Sequence, residues 1–239
     1  MAKFQKVIQQ EQQDKFYDIC ESGSVQEIRE AIDSGLNVNY VYEYGSTVLM
    51  GASRYNTPEA VKALLDAGAD VSLREQDGGT ALLWGATNQY PEIIELLVKA
   101  GASAGESRDD GITALMAAAK KNTPEMVKTL INYGANPNAR DTNGMTALLY
   151  AAMNNPNPEV VNALIDGGAE DVQDKSRRTA FMFAARWNTP EVLNALLEAG
   201  AEVKGTDNFG QTAPTYAQMN DKLKGTGMVE RIAALMREG

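Results

Sequence analysis

Residues 141–152 read DTNGMTALLYAA: a turn-forming Asp-Thr-Asn-Gly, then Met145, then a threonine that opens a run of small and apolar residues. The phrase recurs along the chain. Thr47, Thr80, Thr113, Thr146, Thr179 and Thr212 are spaced by 33 residues, and each opens a comparable run: TVLMGAS, TALLWGA, TALMAAA, TALLYAA, TAFMFAA and TAPTYAQ. Equal spacing over successive intervals marks an internal repeat, and a repeat of this length decides the architecture before any single element is assigned.

Each repeat carries its own start and stop signals. Pro58, Pro91, Pro124 and Pro190 follow threonines of the series at a constant offset, and each precedes a glutamate. Thr57, Thr123 and Thr189 stand just before three of these prolines. That pairs an N-capping oxygen with a proline at the first helical position, where the missing N–H leaves no bond unmade. Apolar residues then fall at helical spacing (Val61, Leu64, Leu65; Val127, Leu130, Ile131; Val192, Leu196, Leu197). Gly68, Gly134 and Gly200 are placed to end these helices in the left-handed conformation. An earlier helix runs from the threonine of the series to Asn56, Asn122 or Asn188, where asparagine is expected to act as a left-handed cap. Roughly nine residues per helix falls short of the ~12–15 that persist alone, so the helices have to stack. The segments DGG, DDGI, DTNGM and DNFGQ predict hairpin-like turns between successive helix pairs.

Composition narrows the function. With 44% hydrophobic and 23% charged residues, the 239-residue chain can bury a core. No stretch approaches the ~18 apolar residues of a membrane span, and residues 1–13, MAKFQKVIQQEQQ, lack the apolar centre of a signal peptide. With Met1 taken as the native start, a cytoplasmic chain without membrane insertion is expected. The single cysteine precludes an internal disulfide, and the absence of histidine removes the side chain most used for proton transfer and zinc ligation near neutral pH. A net charge of −10 repels phosphate backbones unless the cations gather on one face, so nucleic acid is not the expected partner.

DTNGMTALLYAA in the first half of a unit, with AVKALLDAGADV and EVLNALLEAGAEV in the second, resembles the ankyrin repeat, a turn plus two antiparallel helices. Extended backward, the period puts Asp14 in phase, and DKFYDICESGSVQEIREAIDSGLNVN is similar to an amino-terminal repeat of that family. The resemblance implies an all-α solenoid of seven stacked repeats in one domain. It comprises an extension over 1–13, a cap repeat over 14–41, five full repeats over 42–206 and a carboxyl-terminal cap over 207–239 that closes with a helix near 228–237. Departures from the pattern are visible. T-A-L-M replaces the family's T-P-L-H, so the hydrogen bonds of its histidine are missing and the proline has moved to the second helix. Asn155-Pro156 adds a residue before Pro158, and Arg177 stands where other turns have glycine. Such irregularities favour a natural sequence of bacterial style over a consensus scaffold.

Other motifs dissolve into the repeat. Gly101-Ala102-Ser103-Ala104-Gly105 fits the G-x-S-x-G nucleophile elbow. It occupies the segment that reads GADVS or GANPN elsewhere, with no strand before it and no histidine to activate Ser103. Cys20 falls in phase with Ser53, Ala86, Ala119, Ala152 and Ala185, which predicts a buried thiol among small residues between helices. Asp109-Asp110-Gly111 and Asp141-Thr142-Asn143-Gly144 lack the alternating oxygens and terminal glutamate of a calcium loop, and turn formation accounts for them. Met50, Met116 and Met182 recur in phase as core filler. Phe4, Val7 and Ile8 have helical spacing ahead of Phe16 and Ile19, so residues 1–13 are expected to extend or cover the first helix, or to offer an interaction helix. No cofactor and no metal site is expected.

Ankyrin repeats receive partners at the turn tips and at exposed residues ending the first helix, on the concave side. The matching positions of the five full repeats hold eight basic and four acidic residues against an overall charge of −10, which predicts a polarised surface. The expected contact residues are Tyr44, Arg54, Tyr55, Lys120, Lys121, Arg140, Met153, Lys175, Arg178, Arg186 and Trp187. Met145 is expected at the same surface, and Trp84, Tyr150 and Phe183 at its border or in the core. The resemblance implies non-catalytic binding of another protein or peptide by a monomer, the partner presenting an acidic segment with an apolar anchor. The alternatives are a carboxylate- or lysine-dependent enzyme and a scaffold without a natural partner; no concave cluster of titratable groups supports the enzyme.

Overall fold

The computed structural model describes residues 2–237, with side chains from residue 11. The regular structure is helical, and the chain divides into two compact units, residues 1–109 and 110–239. The first unit holds α1 (Ala2–Ser22), α2 (Val25–Asp33), α3 (Val48–Tyr55), α4 (Pro58–Asp66), α5 (Ala81–Gly85) and α6 (Pro91–Lys99). Within it α1, α3 and α5 pack side by side as one layer, and α2, α4 and α6 as the other. The second unit holds α7 (Ala114–Lys121), α8 (Pro124–Asn132), α9 (Ala147–Asn154), α10 (Pro158–Asp166), α11 (Ala180–Trp187), α12 (Pro190–Glu198), α13 (Ala213–Gln218) and α14 (Met228–Leu235). There α7, α9, α11 and α13 form one layer, α8, α10 and α12 the other, and α14 closes against α13.

Helices this short are held at their ends. Thr47, Thr80, Thr113, Thr146 and Thr179 each accept a hydrogen bond from the backbone N–H three residues on, at 3.2–3.4 Å. Thr57 and Thr123 do the same for α4 and α8, as their place before proline predicts. Thr189 makes no such bond at α12. In α10 the cap is Asn157, which accepts from the Glu159 N–H at 3.0 Å, so the extra Asn155-Pro156 residue is absorbed ahead of it. Gly68, Gly134 and Gly200 have φ of 86°, 90° and 80°, the left-handed ends expected of them.

The asparagines that end the first helices are not left-handed caps. Asn56, Asn122 and Asn188 are extended, with φ of −107°, −102° and −110°. For Asn56 and Asn188 the reason lies in the preceding repeat, whose helix leaves carbonyls without partners. Asn56 Nδ2 donates to the Cys20 and Gly23 carbonyls, and Asn88 to those of Ser53 and Asn56. Asn155 likewise serves Ala119 and Asn122, Asn188 serves Ala152 and Asn155, and Asn220 serves Ala185 and Asn188. The extended backbone aims the amide across the junction, and the side-chain oxygen turns back to cap the next segment, as Asn56 Oδ1 does for the Thr57 N–H at 2.8 Å. Each such bond is worth about 1 kcal/mol, and losing it would leave a buried carbonyl bare.

Small residues allow the layers to close. Cys20, Ser53, Ala86, Ala119, Ala152 and Ala185 are all fully buried, and burial pushes the Cys20 thiol pKa well up, keeping it neutral. Met50, Met116 and Met182 are core side chains, beside Phe16, Ile28, Leu64 and Ile94 in the first unit and Leu115, Leu149, Phe181 and Leu196 in the second. Each large side chain so buried contributes about 1.5–3 kcal/mol. The segment before residue 14 continues α1 without a break, and Gln13 fastens it by donating to the Asn37 carbonyl and to Tyr42 Oη, both at 3.0 Å. The side chains of Phe4, Val7 and Ile8 lie outside the described set. Among the described residues no helix is long and apolar enough to cross a membrane.

Candidate functional site

The turn tips are organised around buried aspartates. Asp141 Oδ1 accepts from the N–H groups of Asn143 and Met145, Asp174 Oδ1 from Ser176 and Arg178, and Asp207 Oδ1 from Phe209 and Gln211, at 2.8–2.9 Å. The second carboxylate oxygen turns toward the helix of its own repeat. Tyr150 Oη donates to Asp141 at 2.7 Å and Tyr216 Oη to Asp207 at 2.6 Å, while Asp174 takes the Arg178 guanidinium at 2.6 and 2.9 Å. Desolvation, reinforced by the Asp207 carboxylate, pushes the Tyr216 phenol up to about 12. Desolvation works against the Asp207 carboxylate as well, yet the hydrogen bonds from Tyr216 and the backbone N–H groups outweigh it and hold its pKa below the usual value.

Successive tips are joined by backbone. The Gln76 N–H donates to the Tyr44 carbonyl and that of Asp109 to Asp77; in the second unit Thr142 donates to Asp110, Lys175 to Asn143 and Asn208 to Ser176, at 2.8–3.1 Å. Arg177 adopts φ of 63° at a position where Gly78, Gly111, Gly144 and Gly210 have 83°, 84°, 78° and 72°.

On this frame the second unit presents its cations. Lys120 and Lys121 are exposed at the end of α7, and Lys175 at a tip. Arg140 is exposed and donates to the Gln173 carbonyl. Arg178 is half-buried, paired with Asp174, with its Cζ 4.7 Å from the Phe183 ring centroid. At the end of α11 the Arg186 guanidinium lies 3.9 Å from the Trp187 ring centroid and donates to the Met219 carbonyl at 3.2 Å. Lys222 Nζ donates to the Trp187 carbonyl at 2.8 Å, and Trp187 is 46% exposed.

The first unit differs in sign. Tyr44 and Tyr55 are 66% and 56% exposed, and the Arg54 guanidinium lies 4.7 Å from the Tyr55 ring and 4.3 Å from the Trp84 ring. Trp84 Nε1 donates to Glu75 at 2.8 Å. Of the tip and helix-end positions matched to partner contacts, the first unit holds two cations and three anions, and the second six cations and one anion.

A family model of three ankyrin repeats matches residues 16–106, 82–171 and 148–229. The chain is an ankyrin-repeat protein. Ankyrin repeats are protein-interaction modules, and the family is typically a non-catalytic scaffold. A comparison with curated proteins returns no significant match.

Within this ankyrin framework the predicted residues separate into groups. Tyr44, Arg54 and Tyr55 belong to the first unit, and only Arg54 and Tyr55 touch among them. Arg186 and Trp187 form a stacked pair, Met153 is half-buried, Lys120 and Lys121 are neighbours at the end of α7, and Arg140 and Lys175 both border Gly144. Met145 is 6% exposed, with its N–H held by Asp141; it belongs to the core and not to the ankyrin surface. Phe183 is likewise core, while Trp84 and Tyr150 are half-buried. Ser103 is exposed in a turn, where its Oγ accepts from the Gly105 N–H. Sequence reasoning passed over Lys222; it read Asp141 as a turn former, which its bonds to the Asn143 and Met145 N–H groups bear out, but missed the inward bonds of the tip aspartates to Tyr150, Arg178 and Tyr216. Their signal is periodic: Asp141, Asp174 and Asp207 recur at the repeat length, each with an aromatic residue, Tyr150, Phe183 or Tyr216, at the same offset.

Proposed function

We propose that this protein binds an extended, acidic segment of another protein through the second unit, using Lys120, Lys121, Arg140, Lys175, Arg186 and Trp187. The observation that carries the reading is the Arg186–Trp187 pair, half-exposed yet fixed by the Met219 carbonyl and by Lys222. An anchor already in place loses little side-chain freedom on binding, and tryptophan and arginine are the residues that most often dominate an interface. The excess of cations at the tip and helix-end positions of this unit attracts a negative segment and accelerates encounter, while an apolar side chain of that segment packs on the indole. Arg178 contributes less, because its charge is taken up by Asp174.

The test is capture of the partner from the source cells, followed by stopped-flow association at two ionic strengths. A Lys175→Glu, Arg186→Glu double reversal is expected to lower the association rate and flatten its salt dependence. Trp187→Ala is expected to leave association nearly unchanged and shorten the lifetime of the complex. Rates and lifetimes unchanged in both variants would contradict the proposal.

A further inference from the structure

We infer that the first unit contains a separate binding cleft, walled by Tyr44 and Trp84, that takes a lysine or arginine side chain from a basic segment of another protein. The cleft has a volume of about 550 Å³ and is lined by Tyr44, Glu75, Gln76, Asp77, Trp84 and Asp109. Two aromatic rings and three carboxylates face it, and no lysine or arginine is among the lining residues. Asp77 is paired with Arg108 at 2.7 Å, which leaves Glu75 and Asp109 as the charges the cleft presents. Glu75 is fixed against the indole, accepting the Trp84 Nε1–H at 2.8 Å.

The same indole already binds a cation of this chain. Arg54 stacks 4.3 Å from the Trp84 ring in a small adjoining pocket, and Trp84 lines both that pocket and the cleft. Tyr44 is held at the mouth in a left-handed conformation, φ 59°, with its carbonyl bound by the Gln76 N–H. An anionic ligand is repelled here, and an apolar one would strip water from Glu75 and Asp109 without replacing it. A cation satisfies both demands, stacking on the rings while its N–H groups reach the carboxylates. The sign is opposite to that of the second unit's tip and helix-end positions, so this inference stands independently of the acidic-segment proposal.

The experiment is a titration of the full chain, with its tryptophan indoles labelled with ¹⁵N, against short peptides alternating glycine with lysine, with arginine or with glutamate. Trp187→Phe assigns the two indole resonances. The Trp84 resonance is expected to move with the lysine or arginine peptide and to stay with the glutamate peptide. Glu75→Gln with Asp109→Asn, which keeps an acceptor for the indole, is expected to weaken binding by about tenfold, the loss of two charge contacts. Asp109→Asn alone alters an exposed tip and is expected to weaken it by a smaller factor. A Trp84 resonance unmoved by both cationic peptides, an equal shift with the glutamate peptide, or undiminished binding in the double variant would overturn the inference.

Discussion

Arg177 holds a left-handed backbone, φ 63°, that costs a residue with a Cβ about 1–2 kcal/mol, whereas glycine's extra unfolded-state freedom costs it only about 0.5–1. Arg177→Gly is therefore expected to stabilise the second unit by up to ~1 kcal/mol, read as a higher urea midpoint at constant slope; destabilisation would mean the arginine side chain makes a contact worth more than the strain. At Tyr216 the consequence is one of pH. The folded phenol, raised to about 12, keeps its proton where the unfolded one loses it near ~10. Its contribution to stability is thus whole below about pH 10 and declines as the pH rises toward the folded value. Tyr216→Phe should flatten the fall in melting temperature above that pH. For Asp207 the sign reverses: its pKa is lowered in the fold, so its contribution is present above the ordinary carboxylate range and disappears as acid protonates it. Arg177 was legible in the sequence as a departure from glycine, because a periodic turn exposes its exceptions. The aspartate–tyrosine bonds were not, since nothing in a single turn says that its acid points inward.

At the level of the helix, caps differ even where the letters agree. Thr123→Ala removes a bond to the Met126 N–H and is expected to cost ~0.5–2 kcal/mol, while Thr189→Ala, which removes none, should cost distinctly less by the same denaturation measurement. Asn188→Ala takes away the amide that serves the Ala152 and Asn155 carbonyls, both at 2.9 Å, and should destabilise by ~1–3 kcal/mol because those acceptors stay buried. Equal melting of this variant and the parent would mean that water replaces the amide. Threonine, proline and glycine announced the helices because each acts on its own backbone. Asparagine misled because it suits both left-handed and extended conformations, and the choice between them is made by carbonyls contributed from the preceding repeat.

Over the whole molecule, stability depends on what covers the last repeat. Arg231 of α14 donates to Asn194 of α12 at 2.7 Å, and α13 lies against α11. Deleting residues 210–239 uncovers that layer, including the buried Leu193 and Leu196, and is expected to lower the melting temperature or cause aggregation. A shortened chain as soluble and as stable as the parent would contradict the capping role. The stack itself was legible from periodicity, which survives substitution at any single position. The surface was legible as tip and helix-end positions and their summed charge, but a sum over repeats hides that the cations at those positions fall mostly in the second unit while the first presents Glu75 and Asp109. The backbone bonds that join one tip to the next carry a further consequence. Loop amides on a surface ordinarily trade their hydrogen for deuterium within moments, yet those of Gln76, Asp109, Thr142, Lys175 and Asn208 are locked to a neighbour. Each is a clock that starts only when two adjacent repeats part, so their isotope uptake reports the breathing of the stack, one junction at a time.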